Sequence, residues 1–363
     1  MPKVLVTGGC GYIGSHTLVE LIAAGYEAVS IDDNSRSSES ILVGVERISG
    51  KRVRNYPVYL CDAALTDACF SENCDAVAVI HFAAYKTVSE SVAKPLLYYD
   101  NNINSLLNVL VCTDKYRIPC LVFSSSCSVY GNSDELPVTE DTPFGEAECP
   151  YARTKQMGEH IIQDFSKVSG TSFISLRYFN PVGAHPSGEI GEVPCGEPDN
   201  LVPRIVWTAA GRLPELVVHG NDYDTRDGTC VRDYIHVTDI ARAHVDALRH
   251  MEKRGDRKNP EPNARVKAPD GSTATEGLLD VLNLGSGTGT TVLEAIRSFE
   301  RATGRKLGYR IGPRRPGDAA AVYADNRKAR NLLGWRPEYG LDDMMKTAWQ
   351  WEQKAVPAAT TGQ

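Results

Sequence analysis

Val4-Leu5-Val6-Thr7-Gly8-Gly9-Cys10-Gly11-Tyr12-Ile13-Gly14-Ser15-His16 is the stretch that decides the fold. The apolar run from Val4 to Val6 predicts a buried strand, and the amphipathic run from Ile13 to Ala24 predicts a helix. Glycines fall between and within them at 8, 9, 11 and 14. A strand that turns into a helix in this way leaves backbone N–H groups free at the helix N-terminus, where Tyr12 and Ile13 lie. Those donors and the helix dipole suit a diphosphate. The spacing satisfies Gly9-x-Gly11-x-x-Gly14 and equally Gly8-x-x-Gly11-x-x-Gly14. One glycine serves the tight turn, one the close approach to phosphate, one the packing of helix on strand. A second apolar run, Ala28 to Ile31, ends at Asp32, where a carboxylate accepts from an adenosine ribose and repels a 2′-phosphate. A glycine turn without a ligand is the alternative, and strand, turn, helix, strand and acid in register argue against it. Asp32 implies NAD over NADP, with Arg36 as the nearby residue that speaks for a phosphate.

Composition narrows the classes. The 363 residues are 42% hydrophobic and 23% charged, ordinary globular usage with enough apolar residues for a sizeable core, and the length suggests two domains. A net charge of −7 gives no electrostatic footprint for nucleic acid. Ten cysteines show no Cys-x-x-Cys and no paired zinc spacing, so they read as small hydrophobes in a reducing compartment, and no metal is expected. Met1-Pro2-Lys3 leads straight into the first strand, leaving no room for a signal peptide, and no apolar run approaches a membrane span. The expected location is the cytosol.

Further along, Val58 to Leu60 reads as a third strand closed by Asp62, which is either a contact for the adenine or the N-cap of a helix from Leu65. Val77 to His81 is a fourth strand running into Phe82-Ala83-Ala84-Tyr85-Lys86. Small residues there let a cofactor lie against the backbone, and Lys86 is placed to reach a pyrophosphate. The helical stretch from Leu96 to Tyr116 carries Asn101, Asn102 and Asn104. Asparagine is a poor interior helix former, so at least one of them is expected to face the cofactor or the catalytic strand.

The strand Cys120 to Phe123 ends in Ser124-Ser125-Ser126-Cys127-Ser128, hydroxyls at the edge where open α/β sheets bind ligands. Pro150-Tyr151-Ala152-Arg153-Thr154-Lys155 then places Tyr151 and Lys155 four apart, on one helix face. An ammonium beside a phenol favours the phenolate, which predicts a lowered Tyr151 pKa. An exposed helical pair is the alternative; the glycine turn and the serines weigh against it.

Phe173 to Arg177 is read as the strand completing the first domain, leaving through Tyr178-Phe179-Asn180-Pro181. Proline and glycine then become frequent, marking a less regular second domain. There Leu201 to Gly211 reads as a helix, Leu216 to Val218 and Val231 to Val237 as strands. A helix to Met251 is capped by Thr238 or Asp239, followed by strand Val281 to Leu284 and helices Val292 to Thr303 and Leu341 to Trp351. Arg254 to Thr275 reads as an exposed insertion. Arg314-Arg315-Pro316-Gly317-Asp318 offers two guanidiniums to a phosphate.

Taken together, these motifs resemble the UDP-galactose 4-epimerase family of the extended short-chain dehydrogenases/reductases, in order from Lys3 to about Trp351. The resemblance implies an α/β NAD-binding Rossmann domain, a doubly wound parallel sheet over residues 1–181. It implies a smaller, interleaved mixed α/β substrate domain over 182–356, a disordered tail over 357–363, and a homodimer. NAD would stay bound through the cycle, and a UDP-sugar would lie between the domains. Asn180, Asn200, Leu201, Arg232, Arg315 and Asp318 would hold the nucleotide, with Val217 and His219 near the uracil and Lys86 also reaching the substrate. Ser124, Tyr178 and Asn101 would border the cofactor. Some positions depart from the family pattern: Cys10, Ala84-Tyr85, Asp33, Asp199, His219 and Cys230.

The implied chemistry interconverts UDP-galactose and UDP-glucose through a 4-keto sugar. Tyr151 takes the proton of the 4-hydroxyl, Ser126 binds the same hydroxyl, and Lys155 supports the phenolate and the nicotinamide ribose. A sugar-nucleotide dehydratase would need an acid pair where Cys127-Ser128 stand, and a dinucleotide sensor would typically have lost the tyrosine or the lysine. The family also implies that Val322, four after Asp318, borders the sugar's 2-substituent, so that N-acetylated sugars would fit as well.

Overall fold

The computed structural model describes residues 1–255, 265–267, 273–275, 278–315 and 318–355. The strands are β1 (Lys3–Thr7), β2 (Glu27–Ile31), β3 (Arg54–Tyr56), β4 (Ala76–His81), β5 (Cys120–Ser126), β6 (Ser172–Tyr178), β7 (Asn180–Val182), β8 (Leu216–His219), β9 (Val231–His236), β10 (Arg265–Lys267), β11 (Thr273–Thr275), β12 (Leu279–Leu284), β13 (Gly289–Thr291), β14 (Tyr309–Gly312) and β15 (Ala321–Val322). The helices are α1 (Tyr12–Ala23), α2 (Ile41–Ser49), α3 (Ala63–Glu72), α4 (Val88–Ala93), α5 (Pro95–Lys115), α6 (Pro150–Ser166), α7 (Leu201–Ala209), α8 (Val237–Gly255), α9 (Val292–Thr303), α10 (Arg327–Leu333) and α11 (Leu341–Ala355).

A seven-stranded parallel sheet in the order β12-β6-β5-β4-β1-β2-β3 carries the molecule. Both faces are covered, so its strands are apolar on both sides. Val4 and Val6 pack with Leu18, Leu21 and the α8 residues Ile240 and Leu248; Leu5 packs on the other face with Phe70, Leu106 and Ile162. The order in which strands are added reverses between β1 and β4, and there the carboxyl ends of the strands open a crevice. A smaller unit is built on β9, with β13 antiparallel on one side and β15 parallel on the other, and β7 also pairing with it. Its core joins α7, α9 and α11 through Ile205, Phe299 and Met345.

Four readings of the sequence are corrected. Residues 58–60 are not a strand: Pro57 has no N–H to give the ladder, and the strand precedes it as β3. β6 does not complete the sheet, because β12 pairs with it from Leu279↔Phe173 to Leu284↔Tyr178, and α8 packs on α1. β5 runs on through Ser126, so its serines belong to the strand. α8 already begins at Val237, and Asp239 caps nothing there; its carboxylate accepts the N–H groups of Glu338 and Tyr339, both at 3.1 Å. Within the stretch read as an insertion, β10 and β11 pair antiparallel; its remaining residues from 256 to 272, and the tail from 356, lie outside the described residues.

Candidate active site

The turn from β1 to α1 is shaped by what lies against it. A Cβ on Gly8, where φ is +70°, would sit 2.9 Å from the Ala83 nitrogen, and one on Gly14 would collide with the Gly8 carbonyl. Gly11 is the N-cap of α1 and offers no side-chain oxygen to the first-turn N–H groups. Those donors therefore point into the crevice, and the turn fits a dinucleotide diphosphate. Tyr12 reaches across, its hydroxyl donating to the Gly183 carbonyl at 2.5 Å.

Asp32 stands at the end of β2. Burial raises its pKa, against bonds from the Cys10 N–H at 3.0 Å, the Asn34 N–H at 2.9 Å and the Ser37 hydroxyl at 2.7 Å. Arg36 is engaged elsewhere: it pairs with Glu90 at 2.9 Å and lies over the Tyr85 ring at 4.6 Å. The residue that spoke for a 2′-phosphate is thus held away from Asp32's carboxylate contacts. Asp62 caps α3, one oxygen accepting the Ala64 and Leu65 N–H groups at 3.0 Å each. Its cap reading holds in the structure.

Past β4, Phe82 and Ala83 are half-buried at the sheet edge, the Ala83 N–H reaching Thr7 Oγ1 at 3.3 Å. Lys86 is exposed and paired with Glu192 at 2.8 Å. Of the three asparagines, Asn102 is the buried one. It accepts the Tyr85 N–H at 2.8 Å and donates to the Tyr85 carbonyl at 3.0 Å and Thr154 Oγ1 at 3.1 Å. It thereby fixes the loop after β4 to α6, one residue from Lys155. Asn101 donates to Asn102 Oδ1 at 3.0 Å, and Asn104 to Asp100.

α6 begins at Pro150, a residue suited to a first helical turn, with the Cys149 thiol as cap. It brings Tyr151 and Lys155 to the end of β5. Lys155 is buried, donates to the Ser124 carbonyl at 2.6 Å, and stands 5.9 Å from the Tyr151 ring centre and 5.1 Å from that of Phe123. Ser126 lies near the Tyr151 phenol, and its Oγ accepts the Ser128 N–H at 3.2 Å. Burial pulls Lys155 down from 10.5 to about 8, opposed by the Glu159 carboxylate one turn on. Glu159 is held in turn by Arg177 at 2.7 and 2.9 Å and by Ser125.

The expected lowering of the Tyr151 pKa is not what the pocket does. Burial pushes the phenol above its ordinary value, against the opposing effect of Ser126. Of the two groups, it is the Lys155 ammonium whose pKa burial draws toward neutrality.

In the second unit, Asn180 on β7 donates to the Asp233 carbonyl at 3.0 Å, and Arg232 pairs with Asp318 at 3.3 Å. Asn200 is the exposed N-cap of α7, directly before Leu201. Val217 and His219 share one face of β8, and the His219 ring lies 3.3 Å from the Pro313 carbonyl. Arg314 is turned to Asp222 at 2.8 Å and covers the Tyr223 ring, so Arg315, exposed beside it, is the guanidinium presented outward. Val322 is half-buried on β15, opposite Arg232, and packs on the cluster of Val129, Tyr130 and Phe179. Asp233, which the sequence reading passed over, is fully buried. It accepts from Ser286, Gly287 and Ala324 and locks the loops around β9.

A parallel sheet with a glycine turn at its reversal point and a tyrosine–lysine helix at its edge defines a class, and comparison gives the same one. Residues 4–259 match the NAD dependent epimerase/dehydratase family, and the chain belongs to it. More particularly, it is 46% identical to a UDP-glucose 4-epimerase of Bacillus subtilis over 97% of both chains. Among solved structures it is similar to a UDP-glucose 4-epimerase of Stenotrophomonas maltophila with bound NAD and formylated UDP-arabinopyranose (TM-score 0.89, 41% identity, 98% and 99% of the two chains). It is also similar to that of Bifidobacterium longum in complex with NAD+ and UDP (TM-score 0.86, 45% identity, 97% and 98%).

Proposed function

We propose that this chain interconverts UDP-galactose and UDP-glucose by transient oxidation at C4, with NAD resident. The observation that carries this is buried Lys155 beside Tyr151 at the end of the serine-bearing strand β5, two strands from the glycine turn. The relatives' names and ligands support it. Bound NAD supplies a hydride acceptor and, as a nicotinamide cation, a pull toward the phenolate. Gly8, Gly11, Tyr12, Ile13 and Gly14 hold its diphosphate, Asp32 its ribose, and Phe82, Ala83, Asn101, Ser124 and Tyr178 border it. Tyr151 takes the proton of the sugar 4-hydroxyl, Ser126 holds that hydroxyl, and Lys155 keeps the compensating positive charge beside it. The 4-keto sugar must turn over between the two hydride transfers, so the grip belongs on the UDP. Arg232 and Arg315, with Asn180, Asn200, Leu201, Val217, His219, Lys86 and Asp318, provide it. Purified protein given UDP-galactose without added NAD forms UDP-glucose in a coupled assay; no product overturns the reading.

Val322 extends the reading to the 2-acetamido sugars. It lacks a ring and packs on the cluster of Val129 and Phe179 that follows the β5 serines and β6, so we read the space at the sugar's 2-position as open. Val322→Tyr refills it, an overpacking that typically costs about 1–3 kcal/mol. UDP-galactose turnover is spared in this variant and UDP-N-acetylglucosamine turnover is lost; wild type inactive on both acetylated sugars refutes the size argument.

We further propose a homodimer, two units dividing near residue 181 with α8 and β12 returned to the NAD-binding one, and a cytosolic location. Exposed Leu107 and Val111 on α5, beside Ile161 and Phe165 of α6, form an apolar groove that supports the dimer. The ten cysteines are free thiols, which agrees with a reducing compartment. Among the described residues no helix is long and apolar enough to cross a membrane.

A further inference from the structure

His244 is fully buried in α8, far along the chain from the glycine turn and from the Tyr151–Lys155 helix. Its ring makes two hydrogen bonds. Nδ1 lies 2.8 Å from the Ile240 carbonyl, and Nε2 lies 2.6 Å from the Tyr178 hydroxyl. A carbonyl only accepts, so Nδ1 carries the hydrogen. Nε2 of the neutral ring then has a lone pair, and the Tyr178 hydroxyl donates to it. Burial keeps the ring neutral, drawing its pKa down to about 4. The same ring packs on Phe82 at 4.7 Å, so one side chain braces the ends of both β4 and β6.

Tyr178 sits between this histidine and the reacting pair. In the β5–β6 register Tyr178 lies opposite Ser126, and Tyr151 is near enough to raise its pKa. The Ser124 carbonyl is the acceptor for Lys155. We propose that His244 is a positioning residue for the epimerisation: it takes the Tyr178 hydroxyl hydrogen, so that the phenol's lone pairs, and not its proton, face Tyr151. The inference rests on the reaction proposed above. The Tyr151 oxygen must receive the proton of the sugar hydroxyl, and a second phenol donating to it would occupy the lone pair that does so. With His244 as acceptor, the Tyr178 hydrogen is committed away from Tyr151, which is left to the substrate.

The test is a cycle of variants assayed beside wild type on UDP-galactose, with thermal midpoint and bound NAD per chain recorded for each. His244→Phe keeps a ring on Phe82 but removes the acceptor. It lowers kcat about 10- to 100-fold with KM for UDP-galactose little changed and NAD retained. His244→Gln, whose carbonyl can accept, restores most of the rate. His244→Phe combined with Tyr178→Phe is no slower than Tyr178→Phe alone, because the histidine acts through that hydroxyl. Wild-type kcat in His244→Phe, or additive losses in the double variant, overturns the inference. An inactive wild type overturns the reaction reading instead. Should His244→Phe not fold, histidine 15N NMR of the intact protein, with the His244 signal assigned by its loss in His244→Gln, decides. A neutral ring protonated on Nδ1 supports the inference, and one protonated on Nε2 refutes it.

Discussion

Tyr151 and Lys155 show how little a single contact decides. The lysine is buried and close, yet the phenol's pKa rises because burial acts on both charges. Tyr151→Phe removes the proton acceptor alone: it keeps the fold and bound NAD and loses about 10²–10⁴-fold in kcat, as general bases typically do. The pH dependence follows from the pair. Lys155 has to stay positively charged beside the phenolate and its pKa is drawn down to about 8, so kcat/KM falls as pH rises through that value, and Lys155→Met lacks this limb. Stability has a definite sign. The lysine's folded-state pKa is about 8 against an ordinary 10.5, so between those values the unfolded chain holds a proton that the native state lacks. Native stability therefore gains from Lys155 as pH rises through that window. Denaturant melts should show the gap between wild type and Lys155→Met shifting in favour of wild type from pH 8 to 10; a constant gap refutes the assignment. The spacing of Tyr151 and Lys155 was legible in the sequence because a helix fixes it. How burial shifts the two pKa values was not, because desolvation depends on strands and helices far away in the chain.

At the scale of elements, the segment from Gly183 to Asp199 works as a strap over the ligand edge. Ile190 is fully buried, Trp351 donates to the Glu192 carbonyl at 2.9 Å, and Lys354 pairs with Glu189 at 3.1 Å. From that anchorage Glu192 reaches Lys86, the Cys195 thiol donates to the Arg36 carbonyl at 3.1 Å, and Asp199 accepts from Ser89 at 2.5 Å. Each partner lies just after β2 or β4. The strap sits on α2 at Gly44, where a Cβ would strike the Glu189 carbonyl and come within 2.6 Å of Ile190 Cγ2. Gly44→Val therefore overpacks this contact, costs about 1–3 kcal/mol and loosens the strap. A lower thermal midpoint with faster NAD loss on dilution is expected; unchanged retention would separate the strap from the cofactor. Local signals located α1, α5 and α6, from apolar runs and from the prolines in the first turns of α5 and α6. They misplaced the third strand, where an apolar run followed Pro57, since apolar character does not report whether a ladder partner is within reach.

Across the whole molecule, the main sheet is closed by a strand that sequence order assigns to the other unit. β12 and α8 both return to it, and α8 brings His244 to the ends of β4 and β6. That return was illegible locally: 281–284 is an apolar run like any other, and its partner strand lies a hundred residues earlier. Assembly is the remaining step at this scale. The α5–α6 face leaves Val111 64% exposed and Leu107 41% exposed beside partly buried Ile161 and Phe165. Water is a poor neighbour for such a groove, and a second copy presenting the same face supplies the apolar surface that covers it in a closed, self-complementary contact. Val111→Arg places two like charges across such an interface. It converts a dimer into a monomer by analytical ultracentrifugation, while the active-site residues on the opposite end of α6 remain as they are. A wild type that sediments as a monomer, or a Val111→Arg variant that stays dimeric, excludes this face as the contact.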